Sequence, residues 1–193
     1  MSWEKWYKVL LDEEEKYLKK APDVSLSHKT DHILRVWEKC KTLCEKLDGD
    51  MEIMVAAVML HDLGRHHGLI VHGEKSAELA EPILKKHGFP KQKMPMVLEA
   101  IAQHDYDFPR EKRKLIESKI LNDVDRIDSF GVVGVYKHIL SINQGRLKLE
   151  EVIPASKKRW ESLTLPESKK IAEADYKYII NFFEKLTKEL NLC

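Results

Sequence analysis

Glycine and proline are scarce in this sequence, with 8 and 7 copies among 193 residues. The alternation of apolar and polar residues that is typical of half-buried strands is almost absent, whereas apolar residues recur at helical spacing throughout. No internal repeat, low-complexity tract or long flexible linker divides the chain, which is long enough to bury a sizeable core. We therefore expect an all-α protein with a single domain over residues 1–193.

Long apolar runs and an excess of one charge are also missing. The longest apolar run, Ile53–Leu60, is far shorter than the roughly 20 residues that a membrane helix needs. The first residues, Met1–Lys5, lack the basic-then-apolar order of a signal peptide. Lys and Arg total 33 and Asp and Glu total 32, so the net charge is only +1. This balance disfavours extensive binding to nucleic acid, and nothing predicts contact with a membrane.

Cysteine is rare, with Cys40, Cys44 and Cys193 as the three copies. An odd number without paired spacing argues against a framework of disulfides, which favours a cytoplasmic location. Cys40 and Cys44 lie one helical turn apart among apolar residues. This spacing favours core packing over a metal or redox role.

The helical pattern and its interruptions predict helices over about residues 3–19, 27–47, 51–63, 74–87, 91–104, 111–142, 156–163 and 167–190, with the sixth either one helix or two. The third helix is apolar nearly all round and should be central and buried. Gly64 is placed to end it. Gly145 and Pro154 are expected to mark a loop.

His61 and Asp62 follow directly on this apolar segment. Burying an unpaired carboxylate is costly, so Asp62 needs a partner. A neighbouring imidazole together with a divalent metal would satisfy it. An arginine, or a cap on the following turn, would satisfy it equally well.

Other residues of the types that bind metals surround this pair. Six more histidines occur within about 45 residues of it: His28, His32, His66, His67, His72 and His104. Three acids follow in an otherwise apolar helical segment, namely Asp123, Asp125 and Asp128. Imidazole and carboxylate together suit Mn, Fe, Co, Ni or Zn.

Five motifs in order carry a resemblance to a known family. They are His32-Ile33-Leu34-Arg35-Val36, His61-Asp62-Leu63-Gly64-Arg65, His72 with Ser76-Ala77, His104, and Asp125-Arg126-Ile127. Together they resemble the HD superfamily of metal-dependent phosphohydrolases, over about residues 25–140. The closing segment, about residues 155–190, resembles the small single-domain branch through Arg159–Thr164 and Phe182-Phe183.

The resemblance implies a single-domain HD fold with a metal at its centre, held by His32, His61, Asp62 and Asp125. The cofactor would be one or two divalent transition-metal ions, Mn, Fe, Co, Ni or Zn. Helical-wheel arithmetic places His32 about 80° and His28 about 120° from the apolar stripe of their helix, which also favours His32. His28 is then either a polar residue at the start of the helix, or a residue that contacts a metal-binding side chain or the substrate.

The remaining candidates have two interpretations each. His72 and His104 would bind a second metal or contact phosphate, or they are polar loop residues. Arg65 could bind phosphate through its forked donors, or form a surface salt bridge. Lys75 is a weaker phosphate candidate, and His66 and His67 are expected at the rim without metal.

Periodicity does not choose the last metal ligand. Asp123 and Asp125 lie about 100° to either side of the apolar stripe of their helix. The resemblance selects Asp125, because the family's ligand directly precedes the arginine. Asp128 falls near the stripe, so it should need a partner and could orient a ligand from behind.

The function implied is a metal-dependent phosphohydrolase that cleaves a phosphomonoester or phosphodiester. Its partner would be a small phosphorylated substrate, a nucleotide or related metabolite. One alternative is an oxygenase with two irons in the same fold. Another is a non-catalytic module that binds metal or nucleotide, although such modules usually have a damaged motif and all four ligands are present here. The sequence makes no prediction of the oligomeric state.

Overall fold

The computed structural model of the protein describes residues 3–18, 30–67, 72–105 and 107–190. The helices are α1 (Glu4–Leu18), α2 (Thr30–Lys46), α3 (Met51–Leu60), α4 (Gly73–Lys86), α5 (Met94–Ala102), α6 (Ile116–Ile127), α7 (Gly131–Asn143), α8 (Leu149–Glu161) and α9 (Pro166–Leu190). Two short 3-10 helices, Leu63–His67 and Arg110–Lys112, lie between them. These described ranges contain no strand, which confirms the all-α prediction.

The backbone divides into two compact units, Met1–Val124 and Asp125–Cys193. None of the helices in the described ranges combines the length and the apolar character that a membrane crossing requires.

Helix α3 is the centre of the first unit. Every residue from Glu52 to Leu60 is buried, and α1, α2 and α5 pack around the helix. Asp50 caps its N-terminus, since its Oδ1 accepts hydrogen bonds from the backbone N–H groups of Glu52 at 2.9 Å and Ile53 at 3.2 Å. The prediction of a central, buried third helix is confirmed. The apolar run therefore forms the core of this unit, and His61 and Asp62 follow directly at its end.

The two cysteines on α2 belong to this core. Cys40 and Cys44 are buried and free. Burial raises the pKa of the Cys44 thiol to about 12 and that of Cys40 well above its usual range, so both are poor nucleophiles. The core-packing interpretation is confirmed for both, whereas Cys193 lies outside the described residues.

The expectation that Gly64 ends the third helix is wrong, because α3 ends at Leu60 and Gly64 lies in the following 3-10 helix. A Cβ atom on Gly64 would lie 2.6 Å from the carbonyl oxygen of His72 and 2.9 Å from the backbone nitrogen of Ser76. The Gly64 N–H also donates to Ser76 Oγ at 2.9 Å. A glycine is needed here because the start of α4 approaches the backbone closely.

The second unit is built from α7, α8 and α9, with α9 packed against the other two. Its core consists of apolar side chains from all three helices and their connections, including Phe130, Val135, Val152 and Phe183. Trp160 and Tyr176 stack beside this core with ring centroids 4.4 Å apart.

One sequence prediction fails in this unit. Pro154 lies inside α8 rather than in a loop, because the helix already starts at Leu149, where the backbone N–H of Lys148 donates to Glu151 Oε2 at 2.8 Å. For the segment predicted as one helix or two, the structure has two, α6 and α7, and Gly131 has a positive φ of 65° at the break. The new helix places Val132 (69% exposed) and Ile139 (38% exposed) on its solvent side.

Candidate metal centre

Five side chains of the types that bind metals lie together, fully buried, in the first unit. They are His32 from the first turn of α2, His61 and Asp62 from the end of α3, His72 at the N-cap of α4, and His104 just after α5. Each is at most 2% exposed. Four separate elements thus bring their ends to one place, and the sequence prediction had named all five residues as candidates.

The end of α3 explains how two consecutive residues share this place. His61 is the C-cap of the helix, and Asp62 lies in the turn that follows. Consecutive residues inside a helix point about 100° apart, so the end of the helix allows both side chains to face the same point.

Two of the histidine rings are oriented by backbone carbonyl groups. His61 Nδ1 lies 2.8 Å from the carbonyl oxygen of Val58, and His104 Nδ1 lies 2.6 Å from that of Ile101. A carbonyl oxygen only accepts hydrogen bonds, so Nδ1 carries the proton in each ring. Nε2 of the neutral ring then keeps its lone pair, as a metal ligand requires.

The Asp62 carboxylate lies between the histidines. His32 Nε2 is 3.7 Å from Asp62 Oδ2, and His61 Nε2 is 3.6 Å from Asp62 Oδ1. Both separations exceed hydrogen-bond length. Ligand atoms that share one ion at about 2.1 Å lie roughly 3.0–3.4 Å apart, so small adjustments would let these three side chains hold a metal.

A second group shares the same carboxylate. His72 Nε2 lies 2.8 Å from Asp62 Oδ1, and His104 Nε2 lies 3.1 Å from His72 Nε2. The ligand atoms of Asp62, His72 and His104 all lie within 4.8 Å of one another, as do those of His32, His61 and Asp62. The donor set, imidazole nitrogen with a carboxylate common to both groups, fits one or two divalent transition-metal ions.

His72 lies between two carboxylates. Its Nε2 faces Asp62, and its Nδ1 lies 3.1 Å from Asp105 Oδ1. Burial by itself lowers the pKa of His72, but the hydrogen bond and charge of Asp62, aided by Asp105, raise it above the usual value. Sequence reasoning had not assigned Asp105 to the site, although a carboxylate directly after His104 was a signal that could have been used.

Arg113 holds the loop that carries Asp105. It is 3% exposed and donates to the backbone carbonyl oxygens of Gln103 at 2.8 Å, Asp105 at 3.2 Å and Phe108 at 3.3 Å. Sequence reasoning missed this residue too, because its partners are backbone groups that no motif reveals.

With this geometry in place, the comparison with known families is decisive. The HD domain model matches residues 30–129, which is more than half of the chain. The chain belongs to the HD domain family. The matched range contains all five side chains of the buried cluster. The resemblance seen in the sequence motifs is therefore confirmed.

Solved structures share this HD fold over nearly the whole chain. A predicted HD superfamily hydrolase from an uncultured Thermotogales bacterium is 24% identical, with 95% of this chain and 92% of that chain covered and a TM-score of 0.70. An HD-superfamily hydrolase from Bacillus thuringiensis is 23% identical, with 97% and 98% covered and a TM-score of 0.74. Bacillus subtilis YpgQ in complex with ADP is 18% identical, with 91% and 97% covered and a TM-score of 0.64. No curated protein matches the chain.

The other predicted phosphate contacts of this HD domain lie at different distances from the cluster. Arg65 Nε donates to Asp62 Oδ1 at 3.3 Å, and the Arg65 side chain is 30% exposed, so it borders both the cluster and solvent. Lys75 pairs with Glu78 at 2.8 Å on the exposed side of α4. His28 and the side chains of His66 and His67 lie outside the described residues.

The three acids at the end of the matched range have different environments. Asp123 is fully buried and accepts a hydrogen bond from Asn122 Nδ2 at 2.8 Å. Asp125 is half-buried on α6, and its role as a metal ligand stays a prediction. Asp128 is buried and pairs with Lys137 Nζ at 2.6 Å, which confirms that it needed a partner.

Proposed function

We propose that this HD-domain protein is a metal-dependent phosphohydrolase that cleaves a phosphomonoester or phosphodiester of a nucleotide or related metabolite. The observation that carries the proposal is the buried cluster of four histidines around Asp62. Burying so many groups that bind protons or cations has no packing advantage, because each loses its hydration. A bound cation compensates for that loss.

His32, His61 and Asp62 would hold the metal, and Asp125 would complete the set. A divalent ion in such a site activates water as a nucleophile near neutral pH and polarises a phosphoryl oxygen. The backbone carbonyls behind His61 and His104 keep both rings in the tautomer that leaves Nε2 available. Asp128, already paired with Lys137, would orient a ligand from behind.

The substrate phosphate would meet Arg65 first. Its guanidinium lies at the border between the buried cluster and solvent, and its planar fork suits two phosphate oxygens. His28 and Lys75 are further candidates for the same task. His72 and His104 would bind a second ion, or contact phosphate and protonate the leaving group where only one ion is bound.

The nucleotide part of the proposal has separate support. YpgQ, whose fold is similar to that of this chain, has a crystal structure in complex with ADP. A phosphorylated metabolite of this class would suit a positively charged residue at the rim of a metal centre.

One observation favours a second candidate function. Because Asp62 belongs to two ligand groups, two metal ions could be bound side by side. A pair of irons in this arrangement would suit an oxygenase that uses O2, which is the alternative function of the same fold.

The deciding experiment is a screen of the protein loaded with Mn, Fe, Co, Ni or Zn against nucleotides and generic phosphate esters. We expect phosphate release from at least one class of ester. The variant Asp62→Asn should abolish it, whereas Asp107→Asn, on an exposed residue, should not. Oxygen uptake by the iron-loaded protein without phosphate release would favour the oxygenase, and neither activity would favour a binding module.

A further inference from the structure

Asp105 is a buried acid beside the cluster that the proposed chemistry does not use. It is 8% exposed and follows His104 directly in the loop after α5. Its two carboxylate oxygens have different partners, and both partners belong to the start of α4. Asp105 is therefore linked to two histidines of the cluster. It follows His104 in the sequence, and its side chain contacts His72.

One oxygen caps helix α4. Asp105 Oδ2 accepts hydrogen bonds from the backbone N–H groups of His72 at 2.8 Å and Gly73 at 2.5 Å. A Cβ atom at position 73 would lie 2.9 Å from this oxygen and 2.7 Å from the carbonyl oxygen of Ala102. Glycine at position 73 is thus what allows the carboxylate to reach the end of the helix.

The other oxygen faces the His72 ring. Asp105 Oδ1 lies 3.1 Å from His72 Nδ1, while the opposite ring nitrogen, Nε2, lies 2.8 Å from Asp62 Oδ1. A carboxylate accepts and does not donate, so Nδ1 must carry a proton to make this contact favourable. A cation that replaces the proton on His72 Nε2 would then meet the lone pair of that nitrogen, which points towards Asp62 and His104.

The loop that places this carboxylate is fixed. Arg113 donates to the carbonyl oxygens of Gln103 and Asp105 from a buried position. His104 itself is held by the carbonyl of Ile101. The Asp105 side chain is therefore positioned by its neighbours on both sides rather than by the histidine that it contacts.

We propose that Asp105 is a positioning residue, which fixes the orientation and tautomer of His72 so that Nε2 is presented to a metal ion shared with Asp62. The proposal rests on the metal centre of the proposed function but not on the phosphohydrolase reaction. Carboxylates behind metal-binding histidines typically contribute 10- to 100-fold to metal affinity.

An asparagine at this position separates the two tasks of the carboxylate. In Asp105→Asn, the remaining carbonyl oxygen would still accept from the two backbone N–H groups, so the cap on α4 is kept. The amide NH2 would then face His72 Nδ1 and donate to it. This contact favours the opposite tautomer, in which Nε2 carries the proton and cannot bind a metal.

The experiment uses the full-length protein and Zn²⁺ alone, without substrate. Zinc content and affinity are measured for the wild type, Asp105→Asn, Asp105→Ala and the exposed control Asp107→Asn. Long-range nitrogen NMR of ¹⁵N-labelled histidines reports which ring nitrogen carries the proton, with His72→Gln used for assignment. Thermal unfolding of each variant reports the cap.

We expect the zinc-loaded wild type to show His72 with a protonated Nδ1 and a zinc-bound Nε2. Asp105→Asn should unfold close to the wild-type temperature but bind zinc about 10- to 100-fold more weakly, with the His72 tautomer reversed. Asp105→Ala should lose both zinc affinity and thermal stability, and Asp107→Asn should lose neither.

An unprotonated Nδ1 on His72 in the wild type, or a His72 Nε2 without bound zinc, overturns the proposal whether or not any variant folds. Wild-type zinc affinity in Asp105→Asn also overturns it and leaves Asp105 as a helix cap. If the zinc and NMR results are as expected but no phosphate ester is cleaved, the positioning role stands and the phosphohydrolase proposal fails.

Discussion

The side chains of Asp62 and His72, ten residues apart in the chain, meet with Oδ1 and Nε2 2.8 Å apart. The segment between them contains the 3-10 helix Leu63–His67 and leads to the start of α4. This contact brings the second histidine pair to the carboxylate that already lies beside His32 and His61. Asp62 is therefore the residue on which a centre with two ions would depend.

The number of bound ions tests this arrangement. If His72 and His104 are ligands, the reconstituted protein should bind two ions and His104→Ala should bind one. His87→Ala is the matched control, because His87 lies at the C-cap of α4 and contacts Glu13 rather than the cluster. Elemental analysis that gives one ion in the wild type and one in His104→Ala would leave these histidines as phosphate contacts or structural residues.

Substitution of Gly64 should weaken metal binding as well as lower the stability of the protein. In Gly64→Ala the new Cβ would meet the carbonyl oxygen of His72 at 2.6 Å, so the start of α4 must move. We expect a loss of about 1–3 kcal/mol in the free energy of unfolding, together with weaker metal binding.

Gly88→Ala is the control for that prediction. Gly88 has a φ of 69° with open space around it, so an alanine there costs backbone strain of about 1 kcal/mol without touching the cluster. Both variants should be destabilised in urea titrations, but only Gly64→Ala should bind metal more weakly. Equal metal affinity in the two variants would contradict the role given to Gly64.

The surroundings of Glu13 predict that the free energy of unfolding depends on pH. The hydrogen bond from Lys86 lowers the pKa of this carboxyl most strongly, and those from Lys16 and His87 lower it further. Burial acts in the opposite direction. The resulting pKa is about 2, compared with the usual 4.5. A lowered pKa in the folded state stabilises the protein above about pH 4.5, and this stabilisation is lost as the pH falls towards 2.

The variant Glu13→Gln should therefore lower the free energy of unfolding at pH 7 by about 1–2 kcal/mol, since the lysine partners are largely exposed and screened. The difference from wild type should shrink between pH 5 and pH 3. Glu78→Gln, which breaks the exposed pair with Lys75, should show no resolvable change at either pH. A Glu13→Gln difference that stays constant with pH would contradict the assignment.

Asp125 and Asp123 give a direct test of the fourth metal ligand. Asp125→Asn should weaken metal binding roughly tenfold or more, because it removes the charge while keeping the shape. Asp123→Asn should keep most of the affinity, even though Asp123 is buried beside Asn122 and the change will affect stability. Isothermal titration with Mn²⁺ measures both, and the reverse ranking would show that Asp123 is the ligand.

Much of the fold could be predicted from the sequence, because its signals are local. The apolar run of α3, for example, acts within a few turns. The residues of the buried cluster could be predicted for a different reason. An aspartate and histidines next to a buried helix have few structural uses, so this pattern of residues indicates a functional site.

The failures have the opposite cause. Asp105 reaches the backbone of residues 72 and 73 only after α4 and α5 have packed, and no periodicity encodes that contact. Pro154 was interpreted as a helix breaker, but the cap at Lys148 and the packing of α8 outweigh the lost hydrogen bond. The sequence pattern left residues 111–142 open as one helix or two, and the turn at Gly131 divides them into α6 and α7.

The central claim is that His61 and Asp62 hold a divalent transition metal. Elemental analysis of the purified wild type, His61→Ala and Asp62→Ala, each after reconstitution and dialysis, tests it most directly. We predict a bound transition metal in the wild type and its loss in both variants, with the helical content retained. Full metal occupancy in both variants would contradict the assignment of the buried cluster as a metal centre.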